Sequence, residues 1–226
     1  MPGTFITFEG IDGSGKSTQL RLLNTFLRSL GCNAVVTREP GGTALGLRLR
    51  EALLDAHEEV DPLTELLVFA ADRAQHVRRM LVPALESGAV VISDRYADAT
   101  IAYQGAGRGF PPELIAQIVQ LATGGLKPDL TLLFDVSIEE STSRTTRRSS
   151  GKNTTGKTGR DRLDIENAEF HTRVRDAYLK MADAEPERLI LIDTSGPVER
   201  THDRVKQVIV PFLRSRGHLI TDHVDV

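Results

Sequence analysis

The 226-residue sequence predicts an α/β fold: a doubly wound parallel sheet of five strands flanked by helices. Five short apolar runs, Thr4–Glu9, Asn33–Thr37, Ala89–Ser93, Leu130–Asp135 and Leu189–Ile192, show no clean polar–apolar alternation. That pattern belongs to strands covered on both faces. Longer amphipathic stretches lie between the runs, as right-handed crossovers between parallel strands require. The first run ends in the glycine-rich segment Gly10–Ser17, so ligands are expected at the carboxyl ends of the strands.

Each helix has its own signal. Ser17–Leu30 places Leu20, Leu23, Phe26, Leu27 and Leu30 on one stripe. Asp61 is set to cap the next long helix, and Pro62 falls in its first turn, where a missing N–H costs nothing. Leu63, Leu66, Leu67 and Ala70 continue that helix until it must end or kink near Pro83. Ser137 with Glu140 reads as a capping box. Asn167–Ala182 and Val198–Arg216 complete the set. By contrast, 141–162 reads STSRTTRRSSGKNTTGKTGRDR, almost without apolar residues. Its middle cannot bury a core and is expected to be mobile. The organisation predicted is one domain over 1–226, with 141–162 as a basic lid within it.

Composition excludes several classes. Hydrophobic residues make up 40% of the chain, enough for one good core, and the formal net charge is −3. No global basic field therefore marks a nucleic-acid binder. The single Cys32 cannot form an internal disulfide, which suits a reducing compartment. No apolar run approaches the ~18 residues of a membrane span, and the N-terminus lacks signal-peptide character. A cytoplasmic protein without membrane or nucleic-acid partners is expected.

Gly10-Ile11-Asp12-Gly13-Ser14-Gly15-Lys16-Ser17 fits G-x-x-x-x-G-K-[ST] between a predicted strand and helix. Glycines let backbone N–H groups face a phosphate without interference from Cβ. The helix N-terminus adds partial positive charge. Lys16 is expected on the β- and γ-phosphates of ATP and Ser17 beside Mg²⁺, with Thr18 the last of the ATP-binding residues of this run. A plain glycine turn is the bland alternative, and the strand–loop–helix context argues against it.

The chain lacks the Asn-Lys-x-Asp signature of a GTPase and is too short for a helicase or motor, which leaves small-molecule kinases. Asp94-Arg95-Tyr96 follows a strand, as a carboxylate directed at Mg²⁺ should, and Arg95 could fork onto a phosphate. Asp135 also closes a strand, so spacing alone does not choose between the two acids; the neighbouring arginine favours Asp94. Alone, an Asp-Arg pair is more often a surface ion pair. Thr37-Arg38-Glu39-Pro40-Gly41-Gly42-Thr43 is by itself a turn. Phe69 and Arg73 share a helix face. They are either a core residue and a solvated end, or a ring for a base and a donor for a base carbonyl.

The segments FEGIDGSGKST, TREPGGT, LLVFAADRAQHV, ISDRYADATIAYQG, KPDLTLLFDV and DRLDIENAEFHTRVRDAY closely resemble the bacterial thymidylate kinases, phosphate-loop nucleoside monophosphate kinases. The resemblance runs in order from about Phe5 to about Asp193. It implies that ATP and dTMP give ADP and dTDP, for dTTP synthesis, with Mg²⁺. It implies Phe69 against the thymine ring, Arg73 on a thymine carbonyl, Thr100 and Gln104 at the base edge, and Tyr103 crowding C2′ against ribonucleotides. Arg95 would grip the dTMP phosphate, Asp12 would lie near the 3′-hydroxyl and metal, and Glu39 near the phosphates. Where one subclass has an arginine in the phosphate loop, this chain has Gly13 and Ser14, so a lid arginine is required. The resemblance assigns Arg148 to catalysis and Arg144 to the adenine side. Residues 149–159 look like an insertion, leaving Arg147 and Arg160 as rivals. A homodimer is implied by the resemblance alone. Discrimination of dTMP from dUMP has no motif, with Leu54 a candidate methyl wall. A deoxynucleoside kinase using Glu39 or Asp94 as base, and a nucleotide-binding regulator without turnover, remain as alternatives.

Overall fold

The computed structural model describes residues 2–54, 59–150, 163 and 166–218, except for the side chains of 148–150. Strands β1 (Thr4–Glu9), β2 (Ala34–Arg38), β3 (Val90–Asp94), β4 (Leu130–Asp135) and β5 (Leu189–Asp193) form one sheet in the order β2-β3-β1-β4-β5. Every pairing is parallel. All residues of β1 are buried, which is why its sequence does not alternate. The edge strands leave Val36 and Leu191 exposed.

Helices α1 (Lys16–Ser29) and α9 (Val198–Ser215) cover one face. Leu23 and Leu27 of α1 and Ile209 and Leu213 of α9 are fully buried against Ile6, Phe8, Leu132 and Phe134. Each such side chain contributes about 1.5–3 kcal/mol through the area it removes from water. The other face carries α2 (Ala44–Leu54), α3 (Pro62–His76), α4 (Val82–Glu86), α5 (Ala97–Thr100), α6 (Pro112–Thr123), α7 (Ile138–Ser150) and α8 (Ala168–Ala184). Asp61 caps α3 as expected, its carboxylate accepting from the amides of Leu63 and Thr64. Asn167 caps α8 through the amide of Phe170.

Three features qualify the sequence expectation. First, the end or kink expected near Pro83 takes the form of a π-helical stretch, Val77–Leu81, after α3, and the run ends at Glu86 of α4, with Pro83 in the tolerant first turn of α4. Second, α2, α5 with its π-helical continuation Ile101–Gly107, and α6 had no predicted counterpart. In α2 only Gly46, Leu53 and Leu54 are buried, so no apolar stripe announces it. Third, the start of the basic segment is helix, and α7 reaches Ser150; the middle of the segment, expected to be mobile, lies largely outside the described residues. Its inner side is polar because it packs on polar backbone. The Ser141 hydroxyl donates to the Asp12 carbonyl at 2.6 Å, and Thr145 is buried. Only half of the capping box forms: the Glu140 amide donates to Ser137 Oγ, whereas the Glu140 carboxylate turns to Arg144. Residues 151–162 lie outside the described part.

Candidate functional site

Both Phe8 and Arg38 register with Asp94, so β1, β2 and β3 release their loops at one level. A cleft of about 640 Å³ opens there, at the carboxyl ends of the strands. Its floor is the loop Asp12–Thr18. Two glycines show why the loop has its composition. Gly10 has φ 132° and a Cβ there would sit 2.3 Å from the Phe134 carbonyl oxygen; Gly13 has φ 75° and its Cβ would meet the Ser141 carbonyl at 2.7 Å. Any side chain would push apart the two elements that shape the floor.

Lys16 is buried and curls onto its own loop, donating to the carbonyls of Gly10 at 2.7 Å and Ile11 at 2.9 Å. Gly10 and Ile11 thus act from behind the wall, with the Ile11 side chain in the core. Burial, reinforced by repulsion from Arg95, pulls the Lys16 ammonium down to about 8. Ser17 Oγ donates to Asp94 Oδ2 at 3.2 Å. Asp135, the other acid closing a strand, is gripped by Arg175 through two bonds of 2.7 and 2.8 Å. The geometry therefore selects Asp94 as the acid beside the phosphate loop. A hydroxyl and a carboxylate at a helix N-terminus form a hard oxygen donor set, and they fit a Mg²⁺ that also takes its ligands from phosphate and water.

Arg95 has φ 70°, left-handed for a residue with a side chain, at a cost on the order of 1 kcal/mol. The turn is clamped on three sides. The Arg95 amide donates to the Phe8 carbonyl, Ser93 Oγ donates to the Arg95 carbonyl, and the Tyr96 amide donates to Glu9 Oε1 at 2.7 Å. The strain aims the guanidinium back over the loop, where it donates to Asp12 Oδ1 at 2.8 Å, to Tyr103 Oη at 3.0 Å and to the Gly10 carbonyl at 3.2 Å. Tyr103 in turn donates to Asp12 Oδ2. Burial alone would raise the Asp12 carboxyl, but Arg95 and Lys16 outweigh it and hold the group below the usual carboxylate range.

The far wall is built from α3 and the turn after β2. Arg73, 3% exposed, is no solvated end: it donates to Glu39 Oε2 at 2.7 Å, to Thr100 Oγ1 at 2.7 Å and to the Tyr96 carbonyl at 2.8 Å. His76 bridges Glu39 and Thr37 with 2.8 Å contacts on both ring nitrogens. Asp72 Oδ1 accepts from the Gly41 amide, and burial together with repulsion from Glu39 raises its carboxyl to about 6. One turn back from Arg73, Phe69 lines the cleft, with Leu54, Tyr103 and Gln104 around it. Arg144 closes the opposite end, donating to the carbonyls of Gly13 at 3.3 Å and Thr194 at 2.8 Å. Arg148 stands on α7 with its side chain outside the described part, and Arg160 lies outside it altogether; Arg147 is exposed.

Two further groups of residues line the cleft without having been expected there. Arg38 and Arg50 border the cleft near Glu39, and Arg50 donates to the Pro40 carbonyl at 3.2 Å. Arg38 was in plain view within TREPGGT; Arg50 lies on α2, which had no sequence signal. At the Arg144 end, Thr194, Gly196, Val198 and Thr201 contribute a wall from the turn into α9. A Ser-Gly-Pro turn before a helix carries no functional signature.

The thymidylate kinase family model matches residues 8–205. The chain belongs to the thymidylate kinase family. It is 47% identical over 220 residues to the thymidylate kinase of Pelobacter propionicus, covering 96% of this chain and 99% of the relative. It is 45% identical over 216 residues to that of Deinococcus radiodurans, covering 96% and 98%. Among solved structures, thymidylate kinase from Ehrlichia chaffeensis superposes with a TM-score of 0.73 at 35% identity, covering 93% of this chain and 99% of that one.

Proposed function

We propose that the cleft holds ATP over the phosphate loop and dTMP against α3, their phosphates meeting between Lys16 and Arg95. The activity is ATP-dependent phosphorylation of dTMP to dTDP. One observation carries the assignment of ends: the loop Asp12–Thr18, Arg95 and the Phe69–Arg73 face of α3 line a single cleft. Phe69 offers a ring to stack on thymine, and Arg73 offers donors to a carbonyl, matching thymine O4 and not the amino group of cytosine. Thr100, Gln104 and Leu54 complete the base pocket, Tyr103 crowds the sugar edge, and Asp12 and Glu39 border the sugar and phosphate. Arg38 and Arg50 add positive charge on the dTMP phosphate side. Arg144 and the Thr194–Val198 turn enclose the adenine side.

The acceptor is already an anionic phosphate oxygen, so no strong base is needed. The difficulty is to hold two polyanions in line and neutralise charge as it spreads over the transferred group. Loop amides, Lys16 and Arg95 do this from the floor. Ser17 and Asp94 would hold Mg²⁺, which supplies further neutralisation of the phosphates. A lid begun by α7 carries Arg148 over the transferred group and limits water. We also place the enzyme in the cytoplasm as a homodimer. Leu63 and Leu67 on α3 and Leu121 on α6 remain exposed, a face suited to a second copy. No described helix is long and apolar enough to cross a membrane.

The test is ADP release with ATP, Mg²⁺ and a panel of nucleoside monophosphates plus thymidine. dTMP should be turned over fastest and thymidine not at all. Turnover of thymidine without turnover of dTMP would make the enzyme a nucleoside kinase.

A further inference from the structure

We propose that Glu65 sets the base specificity of this cleft from behind, by fixing which end of the Gln104 amide faces the substrate; this rests on the placement of thymine against Gln104 proposed above. Glu65, Phe69 and Arg73 are spaced four apart on α3 and so share one face of it. Glu65 is fully buried, an unusual place for a carboxylate unless something compensates its charge. Arg108 does so, donating from Nε to Glu65 Oε1 at 3.2 Å and from its NH2 group to Oε2 at 3.0 Å. Arg108 is itself anchored by Glu166 at 2.7 Å and stacks on the Phe170 ring at 4.8 Å.

Gln104, 2% exposed, donates from Nε2 to Glu65 Oε1 at 2.8 Å. An amide is nearly symmetric in shape, so only its partners decide which end points where. A carboxylate paired with a guanidinium accepts and does not donate. It must therefore face the NH₂ end of Gln104, which leaves the carbonyl oxygen as the end available in the cleft. Thymine presents an N3–H donor beside its O4 acceptor, whereas cytosine presents an N3 acceptor beside an amino donor. With Arg73 supplying a donor and Gln104 an acceptor, the wall is complementary to thymine and mismatched to cytosine at two adjacent points. The ion pair that never touches the base thus determines half of the recognition.

The experiment compares kcat/KM for dTMP and dCMP in the full-length enzyme and in Glu65→Gln, Gln104→Ala and the double variant. In Glu65→Gln the new side chain can donate toward Gln104, letting the amide turn. The dTMP:dCMP ratio should fall by about tenfold, the scale of one lost hydrogen bond. The loss should fall on dTMP, with dCMP unchanged or improved. Gln104→Ala should lower the ratio similarly, and adding Glu65→Gln to it should change nothing more. Equal losses for both substrates, or a ratio shift that persists without Gln104, would reduce Glu65 to a packing role and overturn the proposal. A normal ratio in Gln104→Ala would remove the base contact itself, and the proposal with it. A low ratio in Gln104→Ala beside a normal one in Glu65→Gln would remove only the orientation role. Should Glu65→Gln not fold, Arg108→Gln carries the same expectation. An uncompensated Glu65 takes up a proton, can then donate to the Gln104 carbonyl, and frees the amide.

Discussion

The two ends of the cleft are made of different material. At the α3 end, Arg73, Glu39, Thr100 and Gln104 are each less than 5% exposed, and Arg73 spends a donor from each of its three nitrogens on the protein. At the phosphate-loop end, on the function proposed above, the cations must leave the partners that hold them. Lys16 rests on carbonyls of its own loop, and Arg144, 28% exposed, rests on the carbonyls of Gly13 and Thr194. Selecting a base calls for donors already fixed in place, since ordering them at binding would cost affinity. Transferring a phosphoryl group calls for charges that arrive with the nucleotide and shut out water. The difference teaches that substitutions at the first end should act on which substrate is used, and at the second on how fast.

The sharpest way to break that contrast is at Arg148. Arg148→Ala should lower turnover by at least ~100-fold, the lower range of what a transferred-group arginine contributes. The KM for dTMP should stay within about twofold of wild type, because the α3 wall is untouched. Steady-state ADP release at saturating ATP reads both values. Unchanged turnover would move the role to Arg147 or Arg160.

How much of this was legible in the sequence follows the same division. The strands, the phosphate loop and the cap at Asp61 depend on local chemistry, and each was readable within a residue or two. Spacing left Asp94 and Asp135 equal and the neighbouring Arg95 favoured Asp94; three dimensions add a serine 77 positions away on one side and Arg175 on the other. Spacing left Arg73 open between a solvated end and a base donor, because its three acceptors come from distant segments, the turn after β2 and the stretch from Tyr96 to Thr100. The body of helix α7, beyond its cap at Ser137, was hidden for the opposite reason. Its inward residues, Ser141 and Thr145, are polar, since they meet the backbone of the phosphate loop and no apolar core. Periodicity analysis sees only apolar stripes. The wall from Thr194 to Thr201 left no motif at all.

A second effect, smaller and confined to the ATP end, comes from the depressed Lys16 ammonium. Its charge is present below about 8 and is lost as pH rises through that value. Free-enzyme groups govern kcat/KM, whereas bound phosphates favour the protonated lysine in the complex. The expected outcome is a kcat/KM for ATP that declines above pH 8, approaching tenfold per unit, beside a kcat that stays flat over the same range. Initial rates at varied ATP between pH 7 and 9.5 would show it. A kcat that falls in parallel would mean that Lys16 loses its proton even with nucleotide bound.

The smallest expected effect on turnover concerns a buried residue behind the Arg95 turn. Glu9 Oε1 accepts from the Tyr96 amide at the Arg95 turn, and Glu9 Oε2 accepts from Tyr178 Oη of α8 at 2.7 Å. Complete burial, with Asp98 nearby, pushes its carboxyl from 4.5 up to about 7 against the pull of Arg95 and its two donors. A raised folded-state value means that the native protein holds this proton more tightly than the unfolded chain. The resulting stabilisation is full below pH 4.5 and is lost as pH rises through 7. In Glu9→Gln the amide can still accept from Tyr96, and the Tyr178 hydroxyl can turn to accept in its place. Urea midpoints at pH 5 and pH 8 should therefore show wild type losing ~1–3 kcal/mol relative to the variant across that interval. Other buried acids such as Asp72 titrate in both proteins and cancel in the comparison. Parallel pH curves would mean that Glu9 stays ionised throughout, with Arg95 and the two hydrogen bonds outweighing burial.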